Sequence, residues 1–301
     1  MVHSLQNVYA TIVDSTTLIH ALTSFHSLRR IQSNSVLYLL CMEPSVYSVM
    51  EAMEYDDIYI IAVSELEERY PVLDTILQDT TPKKYIRVLH VFLLHYILHY
   101  NPLVHAVQYI DPYTYWVDAI KIQNRDMLTF FVNQSHILPY YIYCPNTQRY
   151  KDILQEFQQQ YLLYAIDRTI AYSEHILSTS FYTCIELYRD DIAQSSYQTL
   201  LFTQGSEEIQ ENKQRLFFDN KYIVGIYTRY LFFSRYLFSC YTSVQGTYRA
   251  KYTLARYIGT YRDEFTRLHY KCTLFGLSLP PLCTMIYPKY MRHIPTTYCI
   301  L

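Results

Sequence analysis

The sequence predicts an α/β fold, a mostly parallel sheet of Rossmann type flanked by helices and followed by a more helical C-terminal part. Three observations carry that expectation. Short strand-like runs alternate with amphipathic segments four times before residue 115, at spacings that suit right-handed crossovers. Half of the 301 residues are apolar and 17% are charged, which suffices for a substantial core. Beyond residue 145 the apolar residues recur mainly at helical spacing. The chain therefore divides into an α/β half, 1–145, and a helical, basic, tyrosine-rich part, 146–301, as one continuous domain.

Residues 8–13 (Val-Tyr-Ala-Thr-Ile-Val) form a β-branched run, the first buried strand. Asp14 and Ser15 are helix-capping types, and Leu18, Ile19, Leu22, Phe25 and Leu28 repeat at helical spacing through Arg30. A turn at 33–35 leads to a second strand, 36–41, and Pro44 opens a second helix that ends near Met53. Residues 57–63 read as a third strand. Ser64 is expected to cap the helix that follows, whose first turn holds Glu65, Glu67 and Glu68, at the end where carboxylates are favoured. Thr81-Pro82 opens a long amphipathic helix to His99, Asn101-Pro102 stops it, and 106–110 is a fourth strand ending at Asp111-Pro112. In the second half, 130–132 and 137–143 read as strands, and 151–188 as mostly helical. Residues 204–214 read as an exposed loop or short helix, 215–241 as ambiguous, and 248–269 as helical. Ligands of parallel sheets sit at the carboxyl ends of the strands, which is where Asp14, Glu43, Ser64 and Asp111 fall.

Composition excludes several classes. The chain has only 5 glycines and neither G-x-G-x-x-G nor G-x-x-x-x-G-K-[ST], which argues against dinucleotide dehydrogenases and P-loop NTPases. Seven scattered cysteines without a C-x-x-C pair are expected to be free thiols in a reducing, cytoplasmic setting. No basic-then-apolar leader opens the chain, and its apolar runs fall short of a membrane span. Thirty-five tyrosines with so few glycines suggest a rapidly diverged source, with a viral one as the expectation.

Charge is unevenly divided. Between 213 and 271, 11 basic residues face 3 acidic ones, giving +8, while the whole chain is −2. Arginine supplies phosphate contacts and tyrosine a stacking face, so this stretch is a candidate surface for nucleic acid or another acidic partner. Tyr248, Arg249, Lys251, Tyr252, Arg256 and Tyr257 would form it. The alternative is an ordinary helix with buried tyrosines and arginines paired to the acidic remainder. His95 and His99, four apart with His90 and His105 nearby, have the spacing of a zinc pair, but without the Glu of H-E-x-x-H they read as packing residues.

The first half resembles the glycosyltransferases of the GT-A fold, which use nucleotide-diphosphate sugars. Tyr9-Ala10-Thr11-Ile12-Val13 looks like their first nucleotide-binding strand, Ser27-Leu28 like the end of their first helix, and Ser64-Glu65-Leu66-Glu67 like their Glu-Leu-Glu segment. Tyr109-Ile110-Asp111-Pro112-Tyr113-Thr114-Tyr115 looks like the end of their metal-binding strand, and Ile137-Leu138-Pro139-Tyr140 like a later apolar pair followed by Pro-His. The likeness covers residues 8–145.

The resemblance implies a sugar nucleotide held by Thr11, Asp14, Lys84, Tyr109 and Tyr113, with Asp111 on Mn²⁺ or Mg²⁺. Lys83 and Lys84 open a helix, an end that favours phosphate, or they are simply solvated. The family sets two carboxylates either side of one residue so that a hard cation can bridge the diphosphate. Here Tyr113, a neutral phenol, takes the second position and Tyr140 replaces the histidine. No counterpart of the family's Asn-x-Gly segment or acidic catalytic residue is found. Three outcomes stay open: Asp111 with Asp118 holds a metal weakly, basic residues replace it, or the fold persists without the chemistry, as a structural or interaction protein that uses the basic stretch 213–271.

Overall fold

The computed structural model describes residues 7–79, 82–122, 125–133, 136–166, 192–195, 198–202, 210–212, 215–218, 221–227 and 248–275. The first half is built as β1 (Asn7–Val13), α1 (Leu18–Ile31), β2 (Ser35–Cys41), α2 (Pro44–Met53) and β3 (Ile58–Ala62). Then follow α3 (Val63–Arg69), α4 (Val72–Asp79), α5 (Pro82–Tyr100), β4 (Ala106–Ile110), β5 (Thr114–Trp116), β6 (Leu128–Asn133) and β7 (His136–Pro145). The second half contributes α6 (Gln148–Ile166), β8 (Ile192–Ser195), β9 (Gln198–Phe202), β10 (Gln210–Asn212), β11 (Arg215–Phe218), β12 (Lys221–Tyr227) and α7 (Tyr248–Phe275).

Seven strands form the main sheet in the order β3-β2-β1-β4-β7-β6-β8. β1 lies parallel to β2 and β4, β2 to β3, and β6 to β8, while β7 runs against both β4 and β6. Six strands thus point one way. The chain moves outward from β1 to β3 and then crosses back to β4 on the other side of β1, so strand order reverses between β1 and β4. A smaller sheet, β10-β11-β12-β5 with β9 beside β12, ties the second half to the stretch just after β4.

Alternation along β1 assigns its side chains to two cores. Tyr9 and Val13 join α1, α2, β5 and α7 on one face; Val8, Ala10 and Ile12 join α3, α4, α5 and α6 on the other. With few glycines to hand, the chain ends α2 on Glu54 in the left-handed region, φ 51°, so a side chain occupies a position that glycine usually fills.

The predicted elements need several revisions. The helix expected from Ser64 begins at Val63, with Ala62 in the capping position, so Ser64 is within the helix and makes no capping hydrogen bond. Pro71 then breaks this stretch into α3 and α4, since its missing N–H cannot continue the ladder. Residues 210–212, expected as loop or helix, are a strand, and the ambiguous stretch from 215 supplies β11 and β12. The helix expected over 151–188 is observed as α6; residues 167–188 lie outside the described residues.

Candidate functional site

The carboxyl ends of β1, β2 and β4 bring together Asp14, Glu43 and Asp111. Asp14 organises the turn into α1: its Oδ1 accepts the backbone N–H groups of Thr16 at 2.8 Å and Thr17 at 2.9 Å, and both threonine hydroxyls at 2.6 and 2.9 Å. Glu43 joins two strand ends, its Oε1 accepting from Ser15 N–H at 3.2 Å and Ser15 Oγ at 3.0 Å. Asp111 Oδ1 accepts the Tyr113 N–H at 2.9 Å, and its carbonyl accepts from the Thr114 N–H at 3.1 Å. The Asp111 carboxylate thereby shapes the turn that leads into β5.

Tyr113 is half-buried. Its ring lies 4.7 Å from that of His20, which also meets Tyr261 of α7 at 5.1 Å. His20 Nδ1 is 3.1 Å from the Tyr257 hydroxyl, so α1, the turn after β4 and α7 close over one imidazole. Complete burial pushes the pKa of His20 down to about 3, against a weaker opposing pull from Asp14. Tyr115 adds an edge-to-face contact with Tyr257, and Trp116 donates its N–H to Ser27 Oγ at 2.9 Å and its indole N–H to Ser24 Oγ at 3.2 Å.

The other expected site residues scatter. Thr11 is buried on the α1 side of the sheet, and its hydroxyl makes no hydrogen bond. Tyr109 is buried on the opposite side, its ring 5.5 Å from that of His90, and burial holds its phenol well above the usual range. Thr11 lies two residues before the end of β1 and Tyr109 one residue before the end of β4. Lys84 lies in the first turn of α5, which precedes β4 and runs against it, so that turn belongs to the carboxyl edge. Asp118 Oδ1 accepts the Ala119 N–H at 2.7 Å. Tyr140 falls within β7.

Of the proposed stacking surface, Arg256 is exposed, but Tyr257 is sealed against α1 and offers no free face to a base. Sequence spacing placed Tyr257 on a basic helix without showing which side meets the core. His95 is buried too, with Tyr70 Oη 2.6 Å from its Nδ1 and the His99 ring stacked at 5.6 Å. His20 and the α7 tyrosines were missed as a group, because 237 residues separate His20 from Tyr257 and no local motif links them.

A divalent cation would need several oxygen donors converging. Asp111 supplies a carboxylate already bonded to its own turn, and Tyr113 turns a phenol ring to His20. Among the described residues no group of three or more His, Cys, Asp or Glu side chains is placed to hold a metal ion. Among the same residues, no helix is long and apolar enough to cross a membrane.

No protein-family model matches the chain. Over 105 residues it is 24% identical to the uncharacterized protein YfnF of Bacillus subtilis (strain 168), a match spanning 35% of this chain and 34% of that protein, about a third of the relative's length. Among solved structures it is similar to the galactosyltransferase LgtC, with a TM-score of 0.44, 9% identity, and coverage of 65% of this chain and 75% of that one. The glycosyltransferase GlyE of Streptococcus pneumoniae TIGR4 gives a TM-score of 0.42 and 11% identity over 64% of this chain and 45% of its own. Mouse xyloside xylosyltransferase 1 gives 0.42 and 12% over 65% and 87%. At these scores and identities no chemistry passes from those proteins to this one.

Proposed function

We propose that the chain is a glycosyltransferase-like protein that binds a nucleotide-diphosphate sugar at the carboxyl edge of its main sheet. One observation carries the reading: Asp14 and Asp111 terminate β1 and β4, the two adjacent parallel strands between which strand order reverses. Open α/β sheets hold ligands in the crevice at that place. Carboxylates there accept hydrogen bonds from ribose or sugar hydroxyls, and the first turn of α5, with Lys84, faces the same edge with backbone N–H groups suited to phosphate. Transfer of a hexose to an acceptor is the further step in this reading, with Asp111 as the residue that matters most.

A second reading is favoured by Tyr113. Its ring is committed to His20, where the resemblance would put a second carboxylate. A protein built this way binds its nucleotide sugar without transferring it.

Thermal unfolding with UDP-glucose and GDP-mannose, each with and without Mn²⁺, separates the two, because a ligand that binds only the native state raises its stability. A metal-dependent upward shift supports transfer; a metal-independent shift supports the silent binder. Asp111→Ala is expected to remove the shift in either case. If neither nucleotide sugar moves the transition, both readings fail.

A further inference from the structure

At the opposite edge of the sheet lies a second polar site. α1 leaves the carboxyl end of β1 and runs back along the sheet for 14 residues, about 21 Å at 1.5 Å per residue. Its last turn, the bend after it and the middle of α7 border an open cleft of about 390 Å³. That volume is in the range of small-ligand sites.

The walls are rich in guanidinium groups. Arg29 and Arg30 come from α1 and Arg267 from α7. Arg29 is ion-paired with Asp57. Glu264, buried at the base, is shared: His26 Nε2 lies 3.2 Å from its Oε1 without hydrogen-bond alignment, Tyr55 donates to its Oε2 at 3.2 Å, and Arg267 reaches it only at 4.0 Å. Arg30 spends its guanidinium on a neutral partner, the Tyr115 hydroxyl at 3.3 Å. Arg267 also donates to the Tyr55 hydroxyl and stands beside Asp263. Two cationic forks from different helices thus border one cleft that Asp263 and Glu264 line as well, and each five-donor guanidinium keeps N–H groups for a planar or tetrahedral oxyanion. Ser33 and Asp263, both exposed on the same lining, offer a hydroxyl and a carboxylate to the body of a ligand that carries hydroxyl groups.

We propose that the α1–α7 cavity binds a small hydroxylated oxyanion, a polyol bearing a phosphate or carboxylate, with Arg30 and Arg267 taking the anionic group and Ser33 and Asp263 the hydroxyls. The site stands apart from the carboxyl-edge crevice and does not depend on that crevice holding a nucleotide.

Titration calorimetry of the full chain with glucose 6-phosphate, glucuronate, inorganic phosphate and glucose tests it. Saturable binding of glucose 6-phosphate or glucuronate is expected, weaker binding of bare phosphate and none of glucose; the tighter of the two polyols identifies the anionic group. Arg30→Gln should weaken binding about tenfold or more, the order of one charge-assisted hydrogen bond, and added salt should weaken it as well. The Gln amide can still donate to the Tyr115 hydroxyl, so the unliganded variant should keep the parent's circular dichroism spectrum. Asp111→Ala should leave this binding intact. The proposal is overturned if neither polyol binds, if glucose binds as tightly as its phosphate, or if Arg30→Gln and Arg267→Gln both bind like the parent.

Discussion

Trp116→Ala is expected to lower the unfolding free energy by about 3–5 kcal/mol. Trp116 is almost fully buried, makes an edge-to-face contact with Tyr141 at 6.2 Å, and hydrogen-bonds Ser24 Oγ through its indole N–H. Truncation removes the ring's contacts, opens a void between α1 and the strands, and leaves the Ser24 hydroxyl without its indole donor. Because β5 carries Trp116 and pairs with β12, the same change loosens the second half of the chain from the first. Urea unfolding followed by far-ultraviolet circular dichroism measures the loss. It must be followed that way because Trp116 is the chain's single tryptophan and the variant has no indole fluorescence. A cost below about 1 kcal/mol would mean the ring is not packed as described.

Acid is expected to destabilise the protein well before its carboxylates titrate. Burial depresses His20 to about 3, and burial together with the charges of His99 and Lys151 depresses His95 to about 4, from an ordinary value of 6.5. The unfolded chain takes up protons near 6.5 that the native state refuses. The contribution is therefore complete above about 6.5 and declines as pH falls toward the folded values. Between pH 7 and pH 5 each histidine should cost about 2 kcal/mol, an order-of-magnitude figure. His20→Gln keeps a polar group opposite the Tyr257 hydroxyl and removes one titration, so it should lose about half of that pH dependence. Unfolding midpoints of parent and variant at the two pH values provide the check. Equal losses would show that His20 protonates without hindrance in the folded protein.

Local pattern revealed the first half because its elements carry their own marks. β4 at 106–110 and α2 from Pro44 to Met53 match the reading to the residue, since a short strand-forming run between Asn101-Pro102 and Asp111-Pro112, and a proline at the first helical position, each mark their own element. β5 escaped notice: Thr114, Tyr115 and Trp116 make a three-residue strand held by β12, more than a hundred residues away. The short strands β8 to β11 were hidden for the same reason, being defined by partners and not by their own periodicity. At the site, the positions of Asp14, Glu43 and Asp111 at strand ends were legible, because a strand's carboxyl end follows from its direction. What those side chains do was not. Asp14 and Asp111 engage their own turns, and Tyr113 is drawn into an aromatic cluster assembled by α7. Such clusters depend on which face of a distant helix lands on α1, and spacing along the chain carries no record of it.

Covalent mapping of a bound sugar nucleotide addresses the carboxyl-edge crevice most directly. Irradiation of the full chain with 5-azido-UDP-glucose, followed by peptide mass spectrometry, should place the label on segments bordering Asp14 or Asp111, with excess UDP-glucose suppressing it. Label confined to the α1–α7 cavity, or spread over the surface and indifferent to competitor, would contradict a nucleotide site between β1 and β4.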